Sequence, residues 1–203
     1  LGRMQPEPEL SKVLDQIRGQ SYGGVLTRYI DSDSFEAGGK NCFYDLGPKD
    51  SGQRYSPIGV ATGIYVAEGI PAAIGEATQR GLAALSPDRV ATRQQMDIKV
   101  HLNCVLDLGD ANVRRRLKTS LRELKLPWRG GLYPPYTWPA TWLLGKAAYE
   151  CQRFDAIRYP SEKVNRSYCL LILTERMGAG AKLVAYQPVV GRVTYTNSFR
   201  LKP

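Results

Sequence analysis

The chain has 203 residues, of which 43% are hydrophobic and 23% are charged, a composition that suits one globular domain and excludes global disorder. Lysine and arginine outnumber aspartate and glutamate by 28 to 19, and the net charge of +9 favours anionic nucleotides, polyanions or an acidic protein as partners. The sequence contains no apolar run of membrane-spanning length and no signal-peptide pattern, so we expect no membrane contact and a cytoplasmic site of action.

Apolar spacing predicts helices and strands along the whole chain. Apolar residues three and four positions apart indicate helices, whereas short alternating or continuous apolar runs indicate strands. The mixture predicts an α+β domain whose later strands form a mixed or antiparallel core sheet. In chain order we expect a helix at 9–18, strands at 24–30 and 63–67, a helix at about 70–81, a strand at 95–108, helices at 110–125 and 140–151, and strands at 154–159, 168–173, 181–186 and 189–195.

The helix predicted at 110–125 carries the only dense basic run, Arg114–Arg116 followed by Lys118. Such a run is more often a solvated helix face than a nucleic-acid patch, and we favour the first interpretation. Two long loops are also predicted. One, at 31–56, is rich in glycine, serine and aspartate, and the other, at 126–139, is rich in proline and aromatic residues. Loops of this length are often functional.

A metal site is not expected. The four cysteines are scattered without a CxxC pair, and the single histidine, His101, lies inside a predicted strand. Neither pattern suits zinc, and one histidine in a strand is a poor basis for a catalytic triad. The first residues, 1–3, precede Met4 and suggest either a tag remnant or the end of an upstream segment.

Four short segments combine charged or hydroxyl-bearing residues with aromatic residues or turn formers. Their candidate site residues are the arginines Arg28 and Arg54, several tyrosines, the glutamate Glu76 and the serine Ser161. These groups suit an anionic, aromatic ligand that contains ribose better than they suit a metal or a peptide. The segments are Thr27–Tyr29, Gly52–Tyr55, Tyr65–Glu68 continuing to Glu76, and Arg158–Ser161.

Each of these residues also has an ordinary structural explanation. Arg28 and Arg54 could each present a planar fork to a pyrophosphate, or form a salt bridge at a sheet edge. Tyr29, Tyr55 and Tyr65 could stack on a heterocycle, or pack in the core of a chain that has 12 tyrosines. Both alternatives stay open at these five positions.

Glu76 is the sharper signal, because a carboxylate among apolar neighbours needs a reason to be there. It could hold a ribose hydroxyl and stabilise an oxocarbenium-like transition state, or it could lie on an exposed helix face. Ser161 could cap a turn, or bind a phosphate or the nicotinamide amide. The apolar neighbours of Glu76 are Ala72, Ala73, Ile74 and Ala77.

At these residues the chain resembles the RES domain family, which is named for its arginine, glutamate and serine. The resemblance runs from about Arg28 to Leu173. Its most specific part is Phe154–Ser161, which is similar to the family's Gly-aromatic-Asp-Gly-Ile-x-aromatic-x-Ser segment. Three other segments are also similar to family motifs, namely Arg54-Tyr55, the stretch from Tyr65 to Glu76, and Val105–Leu108 before a basic helix.

The resemblance implies that residues 1–203 form a single RES-type catalytic domain with an ADP-ribosyltransferase-like fold, in which mixed or antiparallel sheets form a central cleft with flanking helices. It implies an NAD-degrading toxin of a bacterial toxin–antitoxin pair, with NAD as substrate and no metal. The catalytic residues would be Glu76, Arg28 and Tyr65. NAD would be bound by Arg54, Tyr29, Tyr55 and Ser161.

Three functions therefore compete. The first is an NAD glycohydrolase or phosphorylase, whose acceptor is water or phosphate. The second is a mono-ADP-ribosyltransferase that modifies a protein, although Glu68 is poorly placed to be the second glutamate that such enzymes often carry. The third, a basic nucleic-acid-binding module, leaves the ordered motifs unexplained, so direct nucleic-acid binding is disfavoured. The expected protein partner is either a cognate antitoxin or an immunity protein against a secreted effector domain.

Overall fold

The computed structural model describes residues 7–31, 52–61, 63–79, 93–128, 138–186 and 195–197. These residues form one mixed sheet of seven strands with flanking helices, which confirms the α+β prediction. The helices are α1 (Glu7–Gln16), α2 (Ile70–Gln79), α3 (Ala111–Arg116), α4 (Leu121–Leu124) and α5 (Ala140–Glu150). The strands are β1 (Gln20–Asp31), β2 (Ile64–Ala67), β3 (Arg93–Asp107), β4 (Ala156–Pro160), β5 (Tyr168–Ile172), β6 (Lys182–Tyr186) and β7 (Tyr195–Asn197).

Most predicted elements agree with this structure within a few residues. Strand β1 is longer than predicted, because it pairs with β3 from Gln20 to Asp31. Most of the two predicted loops, 31–56 and 126–139, and the start of the strand at 189–195 lie outside the described residues. Across the described ranges, no helix is both long enough and apolar enough to cross a membrane.

The predicted basic helix at 110–125 is wrong as a single element, because it is two short helices. Helix α3 ends before Lys118, whose φ of 52° lies in the left-handed region. Ser120 then begins α4 by accepting a hydrogen bond from Glu123 N at 3.2 Å. Serine followed three residues later by glutamate is a capping box, so the break was visible in the sequence.

The sheet closes into a ring, and the long strand β3 is part of that ring. The order is β1-β2-β5-β4-β3-β6-β7, and β1 also pairs with β3, so five strands form a closed circuit. Closure is possible because β3 is 15 residues long and pairs with three strands. It pairs with β1 along most of its length, its C-terminal end pairs in parallel with β4, and its middle pairs with β6. The other strand pairs are antiparallel.

Alternation along the strands separates two hydrophobic clusters. One cluster contains alternate residues of β1, β3 and β6, together with Leu170 and Ile172 of β5. The other, which we call the helix-side cluster, contains Cys169 and Leu171 of β5 and packs against α1, α2 and α5. Because successive side chains of a strand point to opposite faces, strands β2 to β5 contribute to both clusters. The candidate site lies on the helix side.

Helix α5 approaches the segment 52–56 so closely that one position has no room for a side chain. A Cβ atom at Gly145 would lie 1.8 Å from the carbonyl oxygen of Tyr55. Trp142, one turn earlier in α5, donates from Nε1 to the carbonyl of Gln53 at 2.7 Å. The helix therefore fixes the backbone that carries Tyr55.

We expect Gly145→Ala to lower the free energy of unfolding by about 2–4 kcal/mol, because the new methyl group overlaps backbone that cannot rotate away. In an uncrowded helix the same substitution would instead stabilise by about 1 kcal/mol. Urea unfolding measures the difference, with Lys146→Ala as the control in the same helix. An unchanged or higher stability in Gly145→Ala would contradict this contact.

Candidate active site

The floor of the candidate site is the middle of three antiparallel strands. Cys169 of β5 lies between Ala67 of β2 and Tyr159 of β4 in the strand register. Above it, helix α2 buries Ala72 and Ala73 in the helix-side cluster. The same helix brings Glu76 over the floor, with its Oε1 atom 3.9 Å from Cys169 Sγ.

Glu76 and Ser161, 85 residues apart in sequence, meet directly. Ser161 is fully buried, and its Oγ lies 3.0 Å from Oε1 of Glu76. Backbone N–H groups of Lys163 and Val164 both donate to the same Oγ at 3.2 Å. A hydroxyl has one proton and two lone pairs, so the two amides leave the proton to be donated to Glu76. Ser161 therefore holds the carboxylate.

Two of the predicted tyrosines, Tyr55 and Tyr65, belong to the same helix-side cluster as this pair's surroundings. The hydroxyl of Tyr65 accepts from Tyr55 N at 3.0 Å and contacts Ser56 Oγ at 3.0 Å. Tyr55 is fully buried, with its ring centroid 4.5 Å from that of Tyr159. Burial raises the pKa of Tyr55 well above that of a free phenol. In this conformation Tyr55 is a core residue, and Tyr65 is the tyrosine that fixes the neighbouring backbone.

Arg54 is almost fully buried, and its guanidinium is engaged within the protein. Nη1 donates to the carbonyl oxygens of Leu124 and Leu126, at 3.0 and 3.2 Å, at the end of helix α4. Nη2 forms an ion pair with Glu162, the residue after Ser161. A substrate pyrophosphate at Arg54 would therefore have to compete with Glu162.

The two neighbouring residues Arg28 and Tyr29 do not share a face of the sheet. Tyr29 packs against the helix-side cluster and donates from its hydroxyl to Gln95 Oε1 at 3.1 Å. Arg28 alternates with it and shares the face of Leu26 and Ile30, which belong to the other cluster. The structure thus brings Glu76, Ser161, Tyr65 and Tyr55 together on the helix side and places Arg28 on the opposite face of β1.

Comparison with known proteins identifies the family. The family model of the RES domain matches residues 29–194. The chain belongs to the RES domain family. The predicted family is thereby confirmed, whereas the roles of the individual site residues stay predictions. No functionally curated protein matches the chain.

The fold of this RES domain is similar to one in a crystal structure described as the MbcT–MbcA toxin–antitoxin complex of M. tuberculosis. The TM-score is 0.61 and the sequence identity is 16%, with 88% of this chain and 91% of that chain covered. At this identity the likeness shows a shared fold. The similarity of this fold to ADP-ribosyltransferases stays a prediction.

Sequence reasoning missed the role of one arginine of the RES domain. Arg158 Nε and Nη2 bind Glu68 at 2.6 and 3.1 Å, and Nη1 binds both oxygens of Asp107 at 3.0 and 3.1 Å. The guanidinium carbon lies 3.6 Å from the ring centroid of Tyr168. Tyr22 also donates to Glu68 at 3.2 Å. A charged residue inside the apolar run of β4 was the available signal, because a charge there requires partners.

We expect Arg158→Leu to lower the free energy of unfolding by about 2–4 kcal/mol, because it leaves two partly buried carboxylates without their cation. Arg115→Leu, on the exposed face of α3, is the control and should change stability by less than about 0.5 kcal/mol. Chemical denaturation of the purified proteins measures both values. Adding Glu68→Gln to Arg158→Leu should recover part of the loss. Equal stability of the two single variants would show that the Arg158 ion pairs contribute nothing.

Proposed function

We propose that this RES domain degrades NAD by cleaving the bond between nicotinamide and ribose, as the toxin of a toxin–antitoxin pair. The contact between Glu76 and Ser161 carries the proposal. It places a half-buried carboxylate, fixed by a buried hydroxyl, beside tyrosines and above an apolar floor. A fixed negative charge in such surroundings stabilises positive charge that develops on a sugar.

In the proposed reaction the C1′–N bond of NAD breaks and its electron pair leaves with nicotinamide. Positive charge then develops on the ribose ring, where the carboxylate of Glu76 stabilises it. An oxygen of water or phosphate forms the new bond to C1′ and releases its proton to solvent. The products are nicotinamide and either ADP-ribose or phosphorylated ADP-ribose.

The hydrogen bonds of Glu68 favour water or phosphate over a protein as the acceptor of ADP-ribose. A protein-modifying transferase would need a second carboxylate free to activate the target residue. Glu68 is the nearest glutamate in sequence before Glu76, but its carboxylate is bound by Arg158 and Tyr22. Its position favours water or phosphate as the acceptor.

The arginines of α3 do not favour a nucleic-acid-binding function. Arg114 donates to the carbonyl oxygens of Leu108 and Gly109 at 2.7 and 2.6 Å. Arg116 donates to Gln16 at the end of α1, and Arg115 donates to Asn112 within α3. These contacts give the basic run a structural role.

The antitoxin partner in the similar crystal structure supports a cognate antitoxin for this chain too.

The first test is NAD consumption by the purified protein, with and without phosphate, followed by product analysis. We expect Glu76→Gln to lower kcat by at least about 100-fold, because the amide keeps the size of the side chain but not its charge. Glu150→Gln, at the exposed end of α5, is the matched control and should behave like wild type. Equal rates for Glu76→Gln and wild type would refute the proposed role of Glu76. Transfer of labelled ADP-ribose to a protein would identify the transferase alternative instead.

A second test concerns the competition at Arg54. If substrate phosphate displaces Glu162, then Glu162→Gln should lower KM for NAD by roughly two- to fivefold, with kcat nearly unchanged. This factor corresponds to the free energy of one partly exposed ion pair. Steady-state kinetics beside Glu150→Gln measure the change. A higher KM in Glu162→Gln would show the opposite, that Glu162 holds Arg54 in the geometry that binding requires.

A further inference from the structure

The carboxylate of Glu76 is held through one of its two oxygens. Ser161 Oγ lies 3.0 Å from Oε1, and Cys169 Sγ lies 3.9 Å from the same atom. Among the residues that the structure describes, neither group contacts Oε2. Oε2 is therefore the oxygen available to a substrate, and the groups around Oε1 decide where it points.

Cys169 occupies a position from which it can support Glu76 and little else. Its side chain is 1% exposed, so solvent and substrate do not reach it. It lies in the central strand of the floor, with Ala67 on one side and Tyr159 on the other. A thiol is small enough to fit under the carboxylate and, unlike the side chain of alanine, has a proton to donate.

The thiol remains a donor at neutral pH. Burial raises the pKa of Cys169 well above that of a free thiol, and the negative charge of Glu76 raises it further. The nearby hydroxyl of Ser161 lowers that pKa, Glu68 raises it, and Arg54 lowers it, each by less than burial does. The S–H group therefore stays protonated beside the carboxylate.

We propose that Cys169 is a positioning residue for Glu76, whose S–H group donates to Oε1 and, together with Ser161, fixes the carboxylate so that Oε2 faces the ribose. The inference rests on the proposed function, because Glu76 has its catalytic role only if NAD is the substrate. The hydrogen bond itself can be tested without NAD.

The direct test is the infrared S–H stretching band of the unliganded protein. The difference spectrum between wild type and Cys169→Ala isolates the band of Cys169. In Glu76→Gln this band should move to higher frequency, because a neutral amide accepts a hydrogen bond less strongly than a carboxylate. The same band position in wild type and Glu76→Gln would overturn the proposal. This result does not depend on whether the protein consumes NAD.

Kinetics provide the second test. Cys169→Ala should lower kcat by about 3- to 10-fold with KM changed less than twofold, as expected for one weak hydrogen bond to a charged group. Cys169→Ser keeps a donor and should restore at least half of the rate. The control is Cys104→Ala, which removes a thiol that packs on the helix-side cluster beside Gly19.

The two proposals fail in different ways. A wild-type protein that leaves NAD intact would refute the proposed function, and the infrared band would still decide the role of Cys169. A wild-type protein that cleaves NAD, with Cys169→Ala equally active, would overturn the positioning role alone. A rate for Cys169→Ser as low as that of Cys169→Ala would also overturn it, because the donor would then have no effect.

Discussion

The guanidinium of Arg158 lies between two carboxylates and beneath an aromatic ring, and the position of the candidate site follows from it. Asp107 ends β3 and lies opposite Arg158 in the parallel pair with β4. Glu68 lies two residues before the start of α2, the helix that carries Glu76. One cation thus joins the strand that leads to Ser161 with the corner that leads to Glu76. Two partly buried carboxylates at this place would repel each other without it.

The site is assembled from segments that are far apart in sequence, and each is held by a different interaction. The loop after β4 orients Ser161 through two backbone amides. Helix α5 packs closely against the segment of Tyr55, which is possible because Gly145 has no side chain. Arg54 joins this segment to α4 and to Glu162. The geometry at Glu76 is therefore a property of the whole fold, and distant substitutions should affect it.

Much of this was predictable from the sequence, because hydrophobic periodicity is local. It located most strands within a few residues, and the apolar neighbours of Glu76 predicted a carboxylate that is partly buried. The prediction for Arg54 was less informative, because its partners Leu124 and Glu162 are about 70 and 108 residues away and no local pattern reveals them. The opposite faces of Arg28 and Tyr29 follow from strand alternation, and grouping them in one motif concealed it.

The pairing of β2 has a consequence for the stage of synthesis at which the candidate site can form. β2 has one registered pair with β1 but four with β5, which begins at Tyr168. Contacts over such long sequence separations form late, because the intervening chain must first be closed into a loop. The floor beneath Glu76 therefore does not exist until β5 has left the ribosome. A nascent chain that ends before this strand lacks the three-stranded surface over which Glu76 lies.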